Sequence, residues 1–204
     1  MSLPSWFTDR DDPRPDTEFY AFPRLVTHID DAAIRAVGAL YRELGVDGRV
    51  LDLMSSWVSH FVAPPADLVV LGLNAEELAA NPAAHERIVH DLNADPRIPL
   101  PDADVDDVVC CVSVDYLTRP VEVLADVARV LRPGGRVVVT FSNRCFPTKA
   151  VHGWLATDDA GRTDIVAQYL RRTGGFEPAE VSLRTPADRS YRGDPLWAVV
   201  ARRS

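Results

Sequence analysis

The sequence predicts an α/β protein of three layers, whose doubly wound, mostly parallel sheet has seven strands, one of them antiparallel near the C-terminus. Short continuous apolar runs, typical of strands buried on both faces, alternate with amphipathic helical stretches. The last two runs follow each other without a helix between them, and strands joined in this way are usually antiparallel neighbours. Alternating strands and helices that end in such a pair indicate a doubly wound sheet with one reversed strand.

The apolar pattern places each element along the chain. Seven runs are predicted to be strands: 49–53, 67–71, 87–90, 107–112, 136–141, 176–183 and 196–201. Three stretches with helical spacing are predicted to be helices: 31–44, 120–131 and about 164–172. Gly45 and the turn Pro133-Gly134-Gly135 supply stop signals after the first two of them.

Length and composition indicate one compact domain preceded by an arm. The 204 residues fit a single domain, and 47% hydrophobic residues suffice for a core without disulfides. The first residues mix Asp, Arg and Pro with scattered aromatics and follow neither the strand nor the helix period. We therefore expect an N-terminal arm or lid over residues 1–30 and a single domain over residues 31–204.

Charge and cysteine usage exclude several classes of partner. The net charge of −8 has no basic block to offset it, which disfavours binding to nucleic acid or to anionic lipid. No apolar run approaches the roughly 20 residues that cross a bilayer, and the start resembles no signal sequence. Cys110, Cys111 and Cys145 match neither a disulfide framework nor a metal-ligand spacing. These features predict a cytoplasmic monomer or homodimer that acts on a small molecule, without a metal.

Polar residues at the predicted strand ends form a recognisable series. The segments that carry it are Val50-Leu51-Asp52-Leu53, Gly72-Leu73-Asn74, Asp91 followed by Ile98-Pro99-Leu100-Pro101-Asp102, Asp106-Asp107-Val108-Val109, and Leu131-Arg132-Pro133-Gly134-Gly135. In this order and spacing, over roughly residues 30–145, the chain resembles the class I S-adenosylmethionine-dependent methyltransferases, closest to their small-molecule type 11 branch. The resemblance implies a Rossmann-like methyltransferase fold, S-adenosylmethionine as cofactor, and methyl transfer to a small-molecule acceptor.

The resemblance also assigns cofactor contacts to positions in this chain. These positions are Asp52, Met54, Ser55, Ser56, Asn74, Asp91, Leu92 and Ser113. It implies that Asp52 lies near the methionine amino group and that the loop 54–57 passes beneath the methionine portion. It further implies that Asn74 faces the ribose hydroxyls, where the family usually has an acidic residue. Asp91 and Leu92 fall at the adenine, and Ser113 falls close to the reactive methyl group.

The loop after the first strand departs from the family pattern. The family is usually rich in glycine there, because backbone must approach the ligand closely, whereas this chain has Met54-Ser55-Ser56-Trp57-Val58. The departure supports an alternative, a non-catalytic methyltransferase-like protein that binds an adenosyl ligand or a protein partner. A nicotinamide dehydrogenase is disfavoured by the missing glycine fingerprint, and a hydrolase by the lack of a Gly-x-Ser-x-Gly elbow.

Candidate acceptor-side residues follow the fifth strand. The loop 141–149 places Asn143, Arg144 and Lys149 at the mouth of the expected cleft. The positive charges of Arg144 and Lys149 suit an anionic acceptor. Lys149 is the only lysine of the chain. The alternative is that Arg144 and Lys149 only solvate the loop.

The arm offers a candidate general base. It is expected to fold over the cofactor as a lid, with Tyr20, Arg24 and His28 pointing inward. His28 is the candidate base, because the ordinary pKa of histidine lies near neutrality. The alternative is a histidine that packs against or caps the helix that follows it.

Overall fold

A computed structural model of the protein describes residues 4–187 and 190–204. Its helices are α1 (Ser5–Thr8), α2 (Asp16–Phe19), α3 (Asp31–Leu44), α4 (Ala75–Ala80), α5 (Pro120–Val130), α6 (His152–Leu155) and α7 (Asp159–Thr173). Its strands are β1 (Arg49–Leu53), β2 (Asp67–Gly72), β3 (Glu86–Val89), β4 (Val105–Cys111), β5 (Leu131–Phe141), β6 (Glu180–Leu183) and β7 (Trp197–Arg202). A short 3-10 turn, Val114–Tyr116, follows β4.

The seven strands form one sheet in the order β3-β2-β1-β4-β5-β7-β6. The strands β1 to β5 pair in parallel, and β7 runs antiparallel to both of its neighbours. The predicted fold class, with a single reversed strand near the C-terminus, is confirmed. Because the strand order reverses between β1 and β4, a crevice is expected beyond the carboxyl ends of these two strands.

Each face of the sheet is covered by helices that bury an apolar stripe. On one face, α5 and α7 pack against the sheet, and the buried rings of Phe141 and Trp154 meet edge to face at 4.9 Å. On the other face, Val37 and Tyr41 of α3 are buried in the apolar core. The side chain of Asp30 caps α3 by accepting a hydrogen bond from the backbone N–H of Ala33, as an aspartate at this position commonly does.

The connection between β1 and β2 contains no helix, although a parallel crossover usually does. Residues 54–66 instead run as an extended loop over α3, where the ring of Phe61 lies 4.8 Å from that of Tyr41. A Cβ atom on Gly38 of α3 would approach the carbonyl oxygen of His60 to 2.9 Å, so the loop rests directly on the helix. The helix that precedes β1 thus covers the sheet where a crossover helix would otherwise lie.

The differences from the predicted elements are local. The strand β6 is shorter than the predicted run 176–183, because Phe176 forms only an isolated bridge to Arg203. Short helices such as α4 and α6, and the two single-turn helices of the arm, were not predicted. Segments of four to six residues are too short to show a helical period. Among the described residues, no helix has the length and apolar character needed to cross a membrane.

Candidate cofactor and acceptor site

A cavity of about 280 Å³ lies at the carboxyl ends of the parallel strands, where the strand order reverses. Its walls come from the arm and from the loops that follow β1, β2, β3, β4 and β5. Of the residues that the resemblance assigned to the cofactor, all eight line this cavity: Asp52, Met54, Ser55, Ser56, Asn74, Asp91, Leu92 and Ser113. Of the four acceptor-side candidates, His28 and Arg144 line it, whereas Asn143 and Lys149 do not.

The loop after β1 lies directly against the end of β2. The backbone N–H of Ser55 donates a hydrogen bond to the carbonyl oxygen of Leu71 at 2.7 Å. A Cβ atom on Gly72 would lie 2.3 Å from the carbonyl oxygen of Ser55. Met54 takes a left-handed backbone conformation, with a φ of 58°, which is uncommon outside glycine. The close approach of backbone therefore depends on Gly72 of β2, a residue of the segment Gly72-Leu73-Asn74 whose packing role was not predicted from the sequence.

Replacing Gly72 with alanine is expected to displace the loop 54–57, because the added methyl group overlaps the Ser55 carbonyl. We expect the free energy of unfolding to fall by about 1–3 kcal/mol, the usual cost of overpacking. Urea unfolding monitored by circular dichroism measures this change. A variant within about 0.5 kcal/mol of the wild type would contradict the packing described here.

Asp52 is a buried carboxylate at the end of β1, with only 4% of its surface exposed. The hydroxyl of Ser55 donates a hydrogen bond to its Oδ2 at 2.6 Å. Burial raises the pKa of Asp52 to about 6, against the lowering effect of the hydrogen bond from Ser55. A cationic group brought beside it would favour the charged carboxylate, so Asp52 suits an ammonium ligand.

The loops after β3 and β4 complete the floor of the cavity. Asp91 accepts hydrogen bonds from the backbone N–H groups of Asn93 and Ala94 through Oδ1, so its second oxygen is the one available to a ligand. Leu92 is buried beside it and offers an apolar contact. The hydroxyl of Ser113 donates to the carbonyl oxygen of Cys111 at 2.9 Å.

Asn74 has no free hydrogen-bonding position in this conformation. Its Oδ1 caps α4 by accepting from the backbone N–H groups of Glu76 and Glu77, each at 3.0 Å. Its Nδ2 donates to the carbonyl oxygens of Tyr20 and Ala21 in the arm, at 2.9 and 3.3 Å. A side-chain amide has two donors and two acceptor lone pairs, so all are used. A ribose can reach this side chain only if the arm moves away.

Glu77 belongs to the site although the sequence analysis did not include it. Its carboxylate is buried and accepts from the backbone N–H of Arg24 and from the hydroxyl of Ser56, both at 2.6 Å. The spacing of Asn74 and Glu77 matches a capping box, and this spacing is the sequence pattern by which Glu77 could have been found. The glutamate instead joins the loop after β1 to the arm.

Lys149 fastens the arm rather than facing the cavity. The side chain is completely buried, and its Nζ lies 3.1 Å from Asp16 Oδ1 and 3.5 Å from Asp12 Oδ2. It also donates to the carbonyl oxygens of Asp12 and Arg14. Asp16 in turn accepts hydrogen bonds from Arg10 and Asn93. The lysine therefore holds the arm against the domain and is not positioned to bind an acceptor.

The other acceptor-side candidates differ in their surroundings. Arg144 is exposed over 65% of its side chain, and its Nε donates to Asp194 Oδ1 at 2.8 Å. Asn143 is exposed on the same loop. His28 lies edge to face on Phe146 at 5.2 Å between ring centres. Partial burial lowers the pKa of His28, so the ring is neutral at pH 7 and able to accept a proton.

A second buried carboxylate, Asp115, lies in the turn after β4, outside the cavity lining. It is 3% exposed, and its Oδ2 has no hydrogen-bond partner among the described residues. Burial raises its pKa to about 7. An unfolded aspartate titrates near 3.9, so between about pH 4 and pH 7 the native state binds more protons than the unfolded state. Stability is therefore lost as the pH rises through this range.

Replacing Asp115 with asparagine is expected to remove this pH dependence. At pH 8 the variant should exceed the wild type in free energy of unfolding by about 2–4 kcal/mol, because no buried charge has to be accommodated. Near pH 4 the difference should largely disappear. Urea unfolding at both pH values measures the two differences, and equal differences at pH 4 and pH 8 would contradict the assignment.

Comparisons with known proteins agree with this geometry. The seven-stranded sheet and the position of the cavity correspond to the Rossmann-like methyltransferase fold. Residues 47–139 match the model of a family described as a methyltransferase domain, of type 11. The match confirms the resemblance to class I S-adenosylmethionine-dependent methyltransferases of the type 11 branch. A comparison with curated proteins found no match.

Solved structures share the fold at low sequence identity. An S-adenosylmethionine-dependent methyltransferase from Mesorhizobium loti is 19% identical, with a TM-score of 0.57, covering 82% of this chain and 98% of that one. The Burkholderia thailandensis 1,6-didemethyltoxoflavin N1-methyltransferase, bound to 1,6-didemethyltoxoflavin and S-adenosylhomocysteine, is 16% identical, with a TM-score of 0.60 and coverages of 86% and 80%. The 4+2 cyclase SpnF is 16% identical, with a TM-score of 0.61 and coverages of 92% and 91%.

Proposed function

We propose that this protein transfers the methyl group of S-adenosylmethionine to a small-molecule acceptor bound in the cavity. One observation carries the proposal: the cavity at the reversal of strand order is lined together by Asp52, Asp91 and Ser113, in a chain with a type 11 methyltransferase domain. A concave cavity of about 280 Å³ and a net charge of −8 favour a small metabolite over a nucleic acid as the acceptor.

The residues of the cavity fit an adenosyl ligand in chemistry. Asp52 would hold the ammonium of the methionine portion, and the free oxygen of Asp91 with the side chain of Leu92 would hold the adenine. Gly72 leaves room for the backbone beneath the ligand. When bound, the cofactor supplies a methyl group on a positively charged sulfur.

Contact between a ligand and Asn74 requires the arm to move. Ligand sites usually enclose about 300–1,000 Å³, and this cavity of about 280 Å³ lies just below that range. The carbonyl groups of Tyr20 and Ala21 occupy the donors of Asn74, so cofactor entry would release them. We therefore propose that residues 1–30 act as a lid over the domain formed by residues 31–204.

The side chains can supply orientation and proton transfer. Methyl transfer is a displacement whose main requirement is alignment of the two reacting centres, which a rigid pocket provides. The rings of Tyr116 and Phe146, 6.0 Å apart, are held by a hydrogen bond from the backbone N–H of Phe146 to the hydroxyl of Tyr116. The neutral His28 beside Phe146 would accept a proton from an acceptor that must lose one.

A second candidate function is supported by the arm. In a non-catalytic protein that binds an adenosyl ligand or a protein partner, the hydrogen bonds between Asn74 and the arm would persist in the functional conformation. The structural likeness to a cyclase illustrates that one fold hosts several activities.

Titration calorimetry with S-adenosylmethionine and S-adenosylhomocysteine tests the proposal. We expect micromolar binding of both, and the absence of binding at millimolar ligand would contradict a cofactor site. Incubation with methyl-labelled S-adenosylmethionine and a mixture of small metabolites then separates the two candidates. Labelled small molecules would support methyl transfer, and ligand binding without any transfer would support the second candidate.

A further inference from the structure

Arg24 is a cationic side chain that the arm holds over the cavity. Its guanidinium lies 4.6 Å from the ring centre of Phe19, with the rings of Tyr20 and Phe146 at 5.5 and 5.6 Å. Its Nη2 donates to the carbonyl oxygen of Phe19 at 2.9 Å, and its backbone N–H is bound by Glu77. With the arm closed, three rings and the hydrogen bond from Nη2 fix the guanidinium, and Glu77 fixes the backbone that carries it.

The guanidinium of Arg24 forms no ion pair within the part of the chain that the structure describes. Among the described residues, no carboxylate oxygen lies within 4.0 Å of the guanidinium, and the buried Nη1 has no hydrogen-bond partner. The neighbouring cations differ in this respect, because Arg144 is paired with Asp194 and Lys149 with Asp16. Nη1 is closed to solvent in this conformation, so an anion reaches it only when the arm shifts; because a buried charged donor without a partner is costly, such an anion would bind favourably.

The carboxylates around the cavity are engaged elsewhere. Asp16 is bound by Arg10, Lys149 and Asn93. Glu77 is bound by the backbone of Arg24 and by Ser56 through its two oxygens. None of these carboxylates pairs with the guanidinium, and an anionic ligand in the cavity would supply the missing partner.

We propose that Arg24 binds a carboxylate of the ligand in this cavity and is the residue that selects for an anionic ligand, a role that Arg144 and Lys149 were predicted to have. The planar guanidinium presents paired donors that match a carboxylate. The identity of the ligand, though not the anion site, rests on the proposed function. The carboxylate has two chemical sources, the amino-acid end of the adenosyl ligand or an acidic acceptor.

Three probes and three variants test this site. S-Adenosylhomocysteine carries adenosine and a carboxylate, 5′-methylthioadenosine carries adenosine without the carboxylate, and benzoate carries the carboxylate on a flat ring. Arg24→Gln removes the charge, and Arg24→Lys retains it without the planar fork. Arg42→Gln removes an equal charge from an exposed position on α3 and serves as the matched control. Titration calorimetry measures the dissociation constant of each probe for the wild type and for each variant. Benzoate is titrated both with and without saturating S-adenosylhomocysteine.

Two patterns support the site and distinguish its source. If the cofactor supplies the carboxylate, Arg24→Gln weakens S-adenosylhomocysteine binding by about 10- to 100-fold and leaves 5′-methylthioadenosine unchanged. If the acceptor supplies it, Arg24→Gln leaves both adenosyl ligands unchanged and abolishes benzoate binding. In either pattern Arg24→Lys should lose less affinity than Arg24→Gln.

Other results would overturn the inference. Equal affinities for all probes in Arg24→Gln, Arg42→Gln and the wild type would show that Arg24 does not hold an anion. If the wild type binds neither adenosyl ligand, the proposed function fails separately. The benzoate titration then decides the anion site alone: binding that depends on Arg24 supports it, and no binding rejects it.

Discussion

Replacing Asp52 with asparagine is expected to weaken S-adenosylhomocysteine binding by about 10- to 100-fold. The amide has nearly the same shape and still accepts the hydrogen bond from Ser55, so the loop after β1 should be preserved. It lacks the charge that a buried carboxylate offers to an ammonium group. Titration calorimetry at pH 7.5 measures the change, at a pH above the raised pKa of Asp52, which is about 6.

Cys110→Ala provides the control for this experiment. Cys110 is a buried residue of β4, in the core on the face that α5 and α7 cover, and does not line the cavity. Its replacement should lower stability without changing the dissociation constant. Equal losses of affinity in the two variants would show that the effect of Asp52 is structural, and the site assignment would be wrong. An unchanged affinity in Asp52→Asn would contradict it as well.

Replacing Lys149 with methionine is expected to lower the free energy of unfolding by about 3 kcal/mol. The substitution retains the length of the side chain but leaves Asp16 buried with fewer positive partners. The arm should then detach more often, because the lysine also binds the carbonyl groups of Asp12 and Arg14. Urea unfolding measures the stability, and limited proteolysis measures how readily the arm is cut.

An exposed ion pair provides the comparison for Lys149. Arg119 and Glu122 are neighbours on the surface, and such pairs contribute about 0–1 kcal/mol, so Arg119→Ala should have a small effect. It should also leave the proteolysis of the arm unchanged. If Lys149→Met were as stable as Arg119→Ala, and its arm were cut no more readily by protease, then Lys149 would not hold the arm against the domain.

The sheet could be predicted because its strands are encoded locally. The central parallel strands β1, β2 and β4 are buried, and such a strand is a continuous apolar run that is visible without knowledge of its neighbours. The helix α4 was missed because its six residues are too few to show a period. The missing crossover helix between β1 and β2 depends on how α3 covers the sheet, which is a tertiary property.

The sequence could predict only those residues of the candidate site whose positions follow from the ends of the strands. Asp52 lies at the carboxyl end of β1 and Asp91 shortly after β3, so the topology alone brings them to one edge of the sheet. The loop 141–149 appeared polar and cationic in sequence, yet Lys149 binds Asp12, which lies 137 residues earlier. The bonds of Asn74 to the arm span more than 50 residues in the same way. Contacts of this range have no local signal.

The structure of the complex with S-adenosylhomocysteine is the most direct test of the central claim. We expect the adenosyl group in the cavity, the carboxylate of Asp52 within hydrogen-bond distance of the ligand ammonium, and the carbonyl groups of Tyr20 and Ala21 displaced from Asn74. A ligand bound elsewhere on the protein would contradict the account. A cavity left unchanged at saturating ligand would contradict it equally.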